Sequence, residues 1–171
     1  MARLFWFILG AVVAVVAIFI AGYGFIVRGG VQMAVDAQPL PLEEKVADLA
    51  ITASMHGADQ QANPLKLTDD NLNAGVQVYN SHCAGCHGVP GKQSGVVKRI
   101  APSPPQLFEH DQMVTDDPEG ATYWVVTNGI RLSGMPQFKD SLTDDERWQV
   151  TMLLSHADKI PPAISDLLGK R

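Results

Sequence analysis

"SHCAGCHGVPG", residues 81–91, contains both cysteines of the 171-residue chain, Cys83 and Cys86, with His87 directly after the second. Three chemistries use a C-x-x-C pair, and their demands differ. Structural zinc takes about four Cys or His ligands in two pairs, and only one pair is present. A thioredoxin-like redox pair opens a helix within alternating strands and helices, whereas this pair follows a helical pattern in a chain with no strand signal. Covalent attachment of a c-type haem needs two thiols about one helical turn apart for the thioethers and an adjacent histidine for the iron. C-x-x-C-H supplies all three, with His87 held at the iron by the same attachment.

The flanking pattern is helical. Thr68 is a candidate N-cap, and Leu72, Val76, Tyr79 and Cys83 recur at helical spacing, so a first helix runs into the cysteines. "GVPGKQSGVVKRIAPSPPQL" follows, a long Gly, Pro and Ser-rich loop that something must organise. Asp117-Pro118 reads as an N-cap and first helical residue, opening a short helix through Tyr123, Trp124 and Val126 to Asn128-Gly129. After a second loop, "IRLSGMPQFKDSL", Thr143 and Glu146 form a T-x-x-E capping box for a last helix bearing Trp148, Met152, Leu153 and Ala157, which ends before Pro161-Pro162. The expected fold is all-α, with three to four helices around the haem. A domain of about 100 residues with long loops has a small core of its own, and the apolar faces of the haem would complete it.

A six-coordinate iron needs a second axial ligand. The candidates are Met113, Met135, Met152 and the histidines 56, 82, 110 and 156. Met152 falls on the apolar face of the last helix, where methionine is ordinarily packing. Met135 stands in "GMPQF", where Gly134 permits close backbone approach and Pro136 stiffens the loop, and it is the favoured ligand. A thioether opposite a histidine raises the reduction potential and closes the iron to small molecules.

With C-A-G-C-H, P-P-x-L and N-G-x-x-x-x-G-M-P-x-F in that order, residues 68–159 resemble class I c-type cytochromes, and among them the monohaem domains related to the cytochrome c subunits of cbb-type oxidases. The resemblance implies that the first and last helices cross, with Gly75, Tyr79 and Trp148 at the crossing. It implies that Pro105, in "PPQL", accepts a hydrogen bond from His87 through its carbonyl, although the doubled Pro104-Pro105 leaves that position open by one residue. Tyr123 and Trp124 resemble the aromatic pair that lines the haem pocket.

Outside this region, "LFWFILGAVVAVVAIFIAGYGFIV", residues 4–27, lacks any charge and is long enough to cross a bilayer. It is longer than the apolar part of a cleaved signal and closes on large side chains, so it reads as an uncleaved anchor. Three regions follow: anchor 1–28, connector 29–66 with a short helix near Glu43–Met55, and haem domain 67–171. Arg3 and Arg28 flank the anchor, leaving 11 basic against 18 acidic residues, a net charge of about −7 outside the membrane. That excess disfavours nucleic acid as a partner and fits docking to a basic protein face, or simple solubility.

The resemblance places the haem domain on the periplasmic side of a bacterial cytoplasmic membrane. It implies a non-enzymatic electron relay without a small-molecule substrate, from a quinol-oxidising complex or dehydrogenase to a terminal oxidase or reductase. A permanent subunit of a multisubunit respiratory oxidoreductase is the alternative. A gas sensor or small peroxidase would need the open iron site that Met135 closes.

Overall fold

The computed structural model describes residues 2–170. Among them the regular structure is helical, apart from one isolated bridge between Val89 and Lys92. Two compact units divide between Glu43 and Glu44.

The first unit is dominated by α1, Ala2–Val27, whose 26 residues reach about 39 Å. None of its side chains is buried, and Phe7 and Phe19 are each 75% exposed. An apolar helix of this length with no covered face suits a hydrocarbon surrounding, and α1 is a single segment of membrane-spanning length.

The second unit opens with α2, Glu43–Met55, on which Val46 and Leu49 stay exposed. A short 3₁₀ turn, Ala58–Gln60, then lies against the helix α5, Glu119–Asn128, where Gly120 leaves room for the carbonyls of Ala58, Asp59 and Gln61. Asn63 donates from Nδ2 to the Trp148 carbonyl at 3.3 Å and accepts from the Leu65 amide. The chain is thus fastened to the helices from about Ala58, some residues before the pattern starting at Leu67.

Thr68 caps α3, Asp69–Val78, by accepting from the Asn71 amide, and Asp69 and Asp70 place negative charge at the positive end of the helix. The helix widens into a π turn, Tyr79–Cys83, before the single turn of α4, Ala84–His87. At α5 the expected start moves by one residue. Pro118 is extended (ψ 134°) and serves as the cap, its carbonyl accepting from Ala121 and Thr122, so the helix begins at Glu119. The capping box of α6, Asp144–Ser155, is complete: Thr143 Oγ1 accepts from the Glu146 amide, and the Glu146 carboxylate accepts from the Thr143 amide.

Helices α3 and α6 make the most extensive contact. A Cβ on Gly75 would run into the Gln149 carbonyl and lie 3.2 Å from Leu153 Cβ, so only hydrogen fits there. Tyr79, Val76, Trp148, Val150 and Leu153 form the sealed core. Tyr123 of α5 stacks on Trp148 at 3.8 Å between centroids, and its hydroxyl reaches Asp144, which also pairs with Arg147. Beyond Pro161 the chain starts again as α7, Pro162–Ser165, an element not anticipated from the sequence. α6 already stops at Ser155, before Ala157 and well short of the prolines, and Pro161-Pro162 instead open a new first turn, where the leading amides of a helix have no internal partner. Ile164 and Leu168 bury there, and Asn80 binds the carbonyls of Leu167 and Lys170 and the amide of Gly169.

Replacing Gly75 by Val should lower stability by at least about 1–3 kcal/mol, since neither helix backbone can yield cheaply. A thermal unfolding temperature at or above that of the parent would exclude the close crossing. Thr143→Ala should cost about 1 kcal/mol. Bonds from Thr143 hold the Glu146 carboxyl below the ordinary glutamate range. A depressed carboxylate stabilises the fold above its unfolded pKa, and the contribution is lost as pH falls through the folded value. The stability difference between Thr143→Ala and parent should therefore shrink below about pH 4, as urea titrations at several pH values would register.

Candidate functional site

Cys83 and Cys86 are three residues apart at the π turn and α4, so their side chains share a helix face, and both are free thiols. Burial, with Cys86 nearby, pushes the Cys83 thiol up to about 12. This protonated, half-buried thiol lacks the activation of a disulfide-exchange nucleophile, in line with the sequence argument against a redox pair.

His87 ends α4. Its Nδ1 lies 2.8 Å from the carbonyl oxygen of Pro105, the second proline of the pair. A carbonyl can only accept, so Nδ1 carries the proton and Nε2 keeps its lone pair. Burial lowers the His87 pKa, with the Pro105 bond acting in the opposite direction. The imidazole is thereby held neutral, in one tautomer, with one nitrogen available to a metal.

Keeping Pro105 at that distance requires control of the loop between them. Gly88 turns the chain out of α4 at φ 69° and ψ −168°, a backbone region open only to glycine. The Tyr79 hydroxyl donates to the Gly88 carbonyl at 2.8 Å, and burial keeps that phenol protonated by raising its pKa. Gln106 is 3% exposed and spans the loop: Oε1 accepts from the Ser94 amide, and Nε2 donates to the carbonyls of Pro104 and Cys86. Ser94 Oγ returns to the Gly85 carbonyl. Neither Gln106 nor the Tyr79 hydroxyl stood out as a functional group in the sequence. A polar residue directly after P-P, in a loop lacking regular structure, was the available signal for Gln106.

The second loop leaves α5 at Gly129, with φ 65° and ψ −174°, and closes on itself. The Ile130 amide donates to the Met135 carbonyl, and the Met135 amide donates to Ser133 Oγ. Met135 is half-buried, as are Ile100, Ile130 and Trp124. A Cβ on Gly134 would lie 3.1 Å from Ile100 Cγ2, so the methionine loop rests against the loop that follows the cysteine motif. Of the other candidate ligands, Met152 is sealed in the core at 2% exposure. His156 Nδ1 bonds to the Met152 carbonyl, and the His82 ring packs edge-on to Phe138. His56 and His110 are exposed.

The donor set fits a covalently attached haem. Two free thiols, an imidazole with a committed Nδ1 and a free Nε2, and a thioether on an abutting loop are the groups such a cofactor needs. Among the described residues, no cluster of three or more His, Cys, Asp or Glu side chains could hold a bare metal ion. The aromatic pair divides: Tyr123 is committed to Trp148 and Asp144, while Trp124 is half-buried on α5.

Residues 70–152 match the family model described as cytochrome c oxidase, cbb3-type, subunit III. A stretch of 89 residues, 52% of the chain, is 27% identical to a quinohemoprotein alcohol dehydrogenase, ADH IIB, of Pseudomonas putida, and spans 11% of that protein. Among solved structures, the Kuenenia stuttgartiensis reducing HAO-like protein complex aligns with a TM-score of 0.47 and 24% identity, over 55% of this chain and 46% of that one. The matched region contains the C-x-x-C-H motif, Pro105 and Met135. Residues 70–152 are thus similar to the c-type-cytochrome-like subunit III of cbb3-type oxidases, on a chain that also carries one apolar helix of membrane-spanning length.

Proposed function

We propose that the chain binds one haem c and passes single electrons as a membrane-held subunit of a multisubunit respiratory oxidoreductase, with its haem domain on the periplasmic side. The observation that carries this reading is the match of residues 70–152 to an oxidase subunit family, with the cysteine motif and Met135 both inside the matched region. Cys83 and Cys86 would hold the haem through thioethers, His87 Nε2 and Met135 Sδ would bind its iron, and Trp124 would line its pocket. Once bound, the haem supplies a one-electron couple. The Pro105 carbonyl, by accepting from Nδ1, keeps His87 aligned and its free nitrogen electron-rich. The self-bonded loop 129–135 fixes the backbone of Met135 at both its amide and its carbonyl. No substrate of its own is assigned, and the role is electron transfer within a larger enzyme. Similarity to a small part of a quinohemoprotein alcohol dehydrogenase fits a haem domain serving different redox enzymes.

A tethered relay, free to move between complexes, is the second reading. The division of the chain into an anchor unit and a separate compact unit favours it. The subunit family weighs more, because a single anchor serves either role.

Met135→Ala should lower the reduction potential and let the reduced protein bind carbon monoxide, as a redox titration and difference spectra would show. An unchanged potential would overturn the ligand assignment. For the assembly, membranes solubilised in mild detergent and run on native gels with a haem stain should show the chain in a band far above its own mass. Migration alone would favour the tethered relay.

A further inference from the structure

The 18 acidic residues avoid two stretches of the domain. Residues 81–108, which carry the cysteine motif and the loop after it, contain Lys92, Lys98 and Arg99 and no Asp or Glu. Residues 120–138, which carry Trp124 and the methionine loop, contain Arg131 and no Asp or Glu. These stretches abut where Gly134 meets Ile100, next in sequence to Arg99 and three residues from Arg131. Lys98, Arg99 and Arg131 are exposed, and among the described residues none is paired with a carboxylate. Where the two loops meet, the Met135 side of the candidate site therefore carries positive charge on a chain whose overall charge is −5, while Glu109 and Asp111 lie in the turn that follows Pro105 on the His87 side.

Leu132 sits beside Arg131, 89% exposed, the highest exposure among the large apolar side chains of the domain. Its φ is +63°, in the left-handed region that is unfavourable for a side chain with a Cβ. Neighbouring hydrogen bonds, Ser133 amide and hydroxyl to the Ile130 carbonyl and Met135 amide to Ser133 Oγ, close the loop and hold that residue outward. A strained apolar side chain held in water within a cationic border has the layout of a protein docking site, an apolar anchor with a charged rim.

We infer that this face receives an acidic one-electron protein partner, with Leu132 as the apolar anchor and Lys98, Arg99 and Arg131 as the steering charges. The inference rests on the electron-transfer reading above. It gives the docking face a sign opposite to that of the whole chain, so a partner is steered by local and not by net charge.

The test uses the full, haem-loaded chain in nanodiscs of neutral phosphatidylcholine, pre-reduced and mixed with plastocyanin as an acidic one-electron acceptor. The oxidation rate should fall at least tenfold as salt rises from about 10 mM to about 0.5 M, because screening removes the attraction. In the double variant Arg99→Glu, Arg131→Glu the salt dependence should change sign. Leu132→Ser, a change at a nearly fully exposed position, should slow the reaction severalfold while keeping the salt slope. A parent rate that rises with salt, or a Leu132→Ser rate equal to the parent rate, would overturn the docking face while leaving the haem reading intact. A chain without a reducible haem spectrum would remove the electron-transfer reading itself. Repeating the experiment in discs containing phosphatidylglycerol separates a second source of negative charge. Loss of the salt dependence there, with loss of sensitivity to the charge reversal, would assign the face to lipid headgroups and overturn the protein partner.

Discussion

The bond between His87 Nδ1 and the Pro105 carbonyl constrains the rest of the domain. It fixes which imidazole nitrogen is free, and it does so only if a proline 18 residues later returns to the end of α4. Everything in the intervening loop serves that return. Gly88 sets the exit direction, Tyr79 holds the Gly88 carbonyl from inside the core, and Gln106 ties the two ends of the loop together beneath the histidine. Tyr79 is fully buried and packs edge-on to Phe108, so its hydroxyl holds the Gly88 carbonyl from a fixed point in the core.

The sealed core belongs to α3, α6, α7 and parts of α5, whereas the side chains around the candidate site remain half-buried. Loops 88–118 and 129–143 are ordered by backbone turns and by side chains bonding to backbone, through Ser94, Ser103, Gln106, Ser133 and Arg147. Such bonds satisfy polar groups without supplying apolar area, so they shape a cavity wall more than they hold it shut. A flat apolar cofactor, as proposed for this site, would supply the missing area and cover loops that are rich in Gly and Pro.

What could be read from the chain follows from the range of each interaction. Caps are local, so Thr68 and the Thr143–Glu146 box were legible from spacing alone. The C-x-x-C-H motif is local too, and its spacing points to haem attachment over zinc or dithiol chemistry without any tertiary contact. Pro118 was displaced by one residue because its φ suits a cap and a first turn equally, and only ψ separates them. The α7 turn escaped notice since a double proline signals an end more loudly than a beginning, and its anchorage through Asn80 spans almost 90 residues of sequence. Packing of the 58–61 turn on Gly120 was equally invisible, being a contact of backbone with backbone that leaves no side-chain pattern. Net charge, being a sum over the chain, carries no information on where the signs lie.

Gly88 and Gly129 launch the two loops of the site in nearly the same backbone conformation, one that no residue with a Cβ adopts without strain. Each also faces backbone atoms of its own loop closely enough that a methyl group would collide. Every single-base change in a glycine codon that alters the amino acid introduces a side chain, so both positions are barred from drift whichever complex the chain serves. Lys98, Arg99 and Arg131 sit on the loops those glycines launch, and among the described residues their side chains make no hydrogen bond or ion pair. A lineage could exchange these cations for other residues, and so exchange partners, while the histidine and methionine stayed where they are.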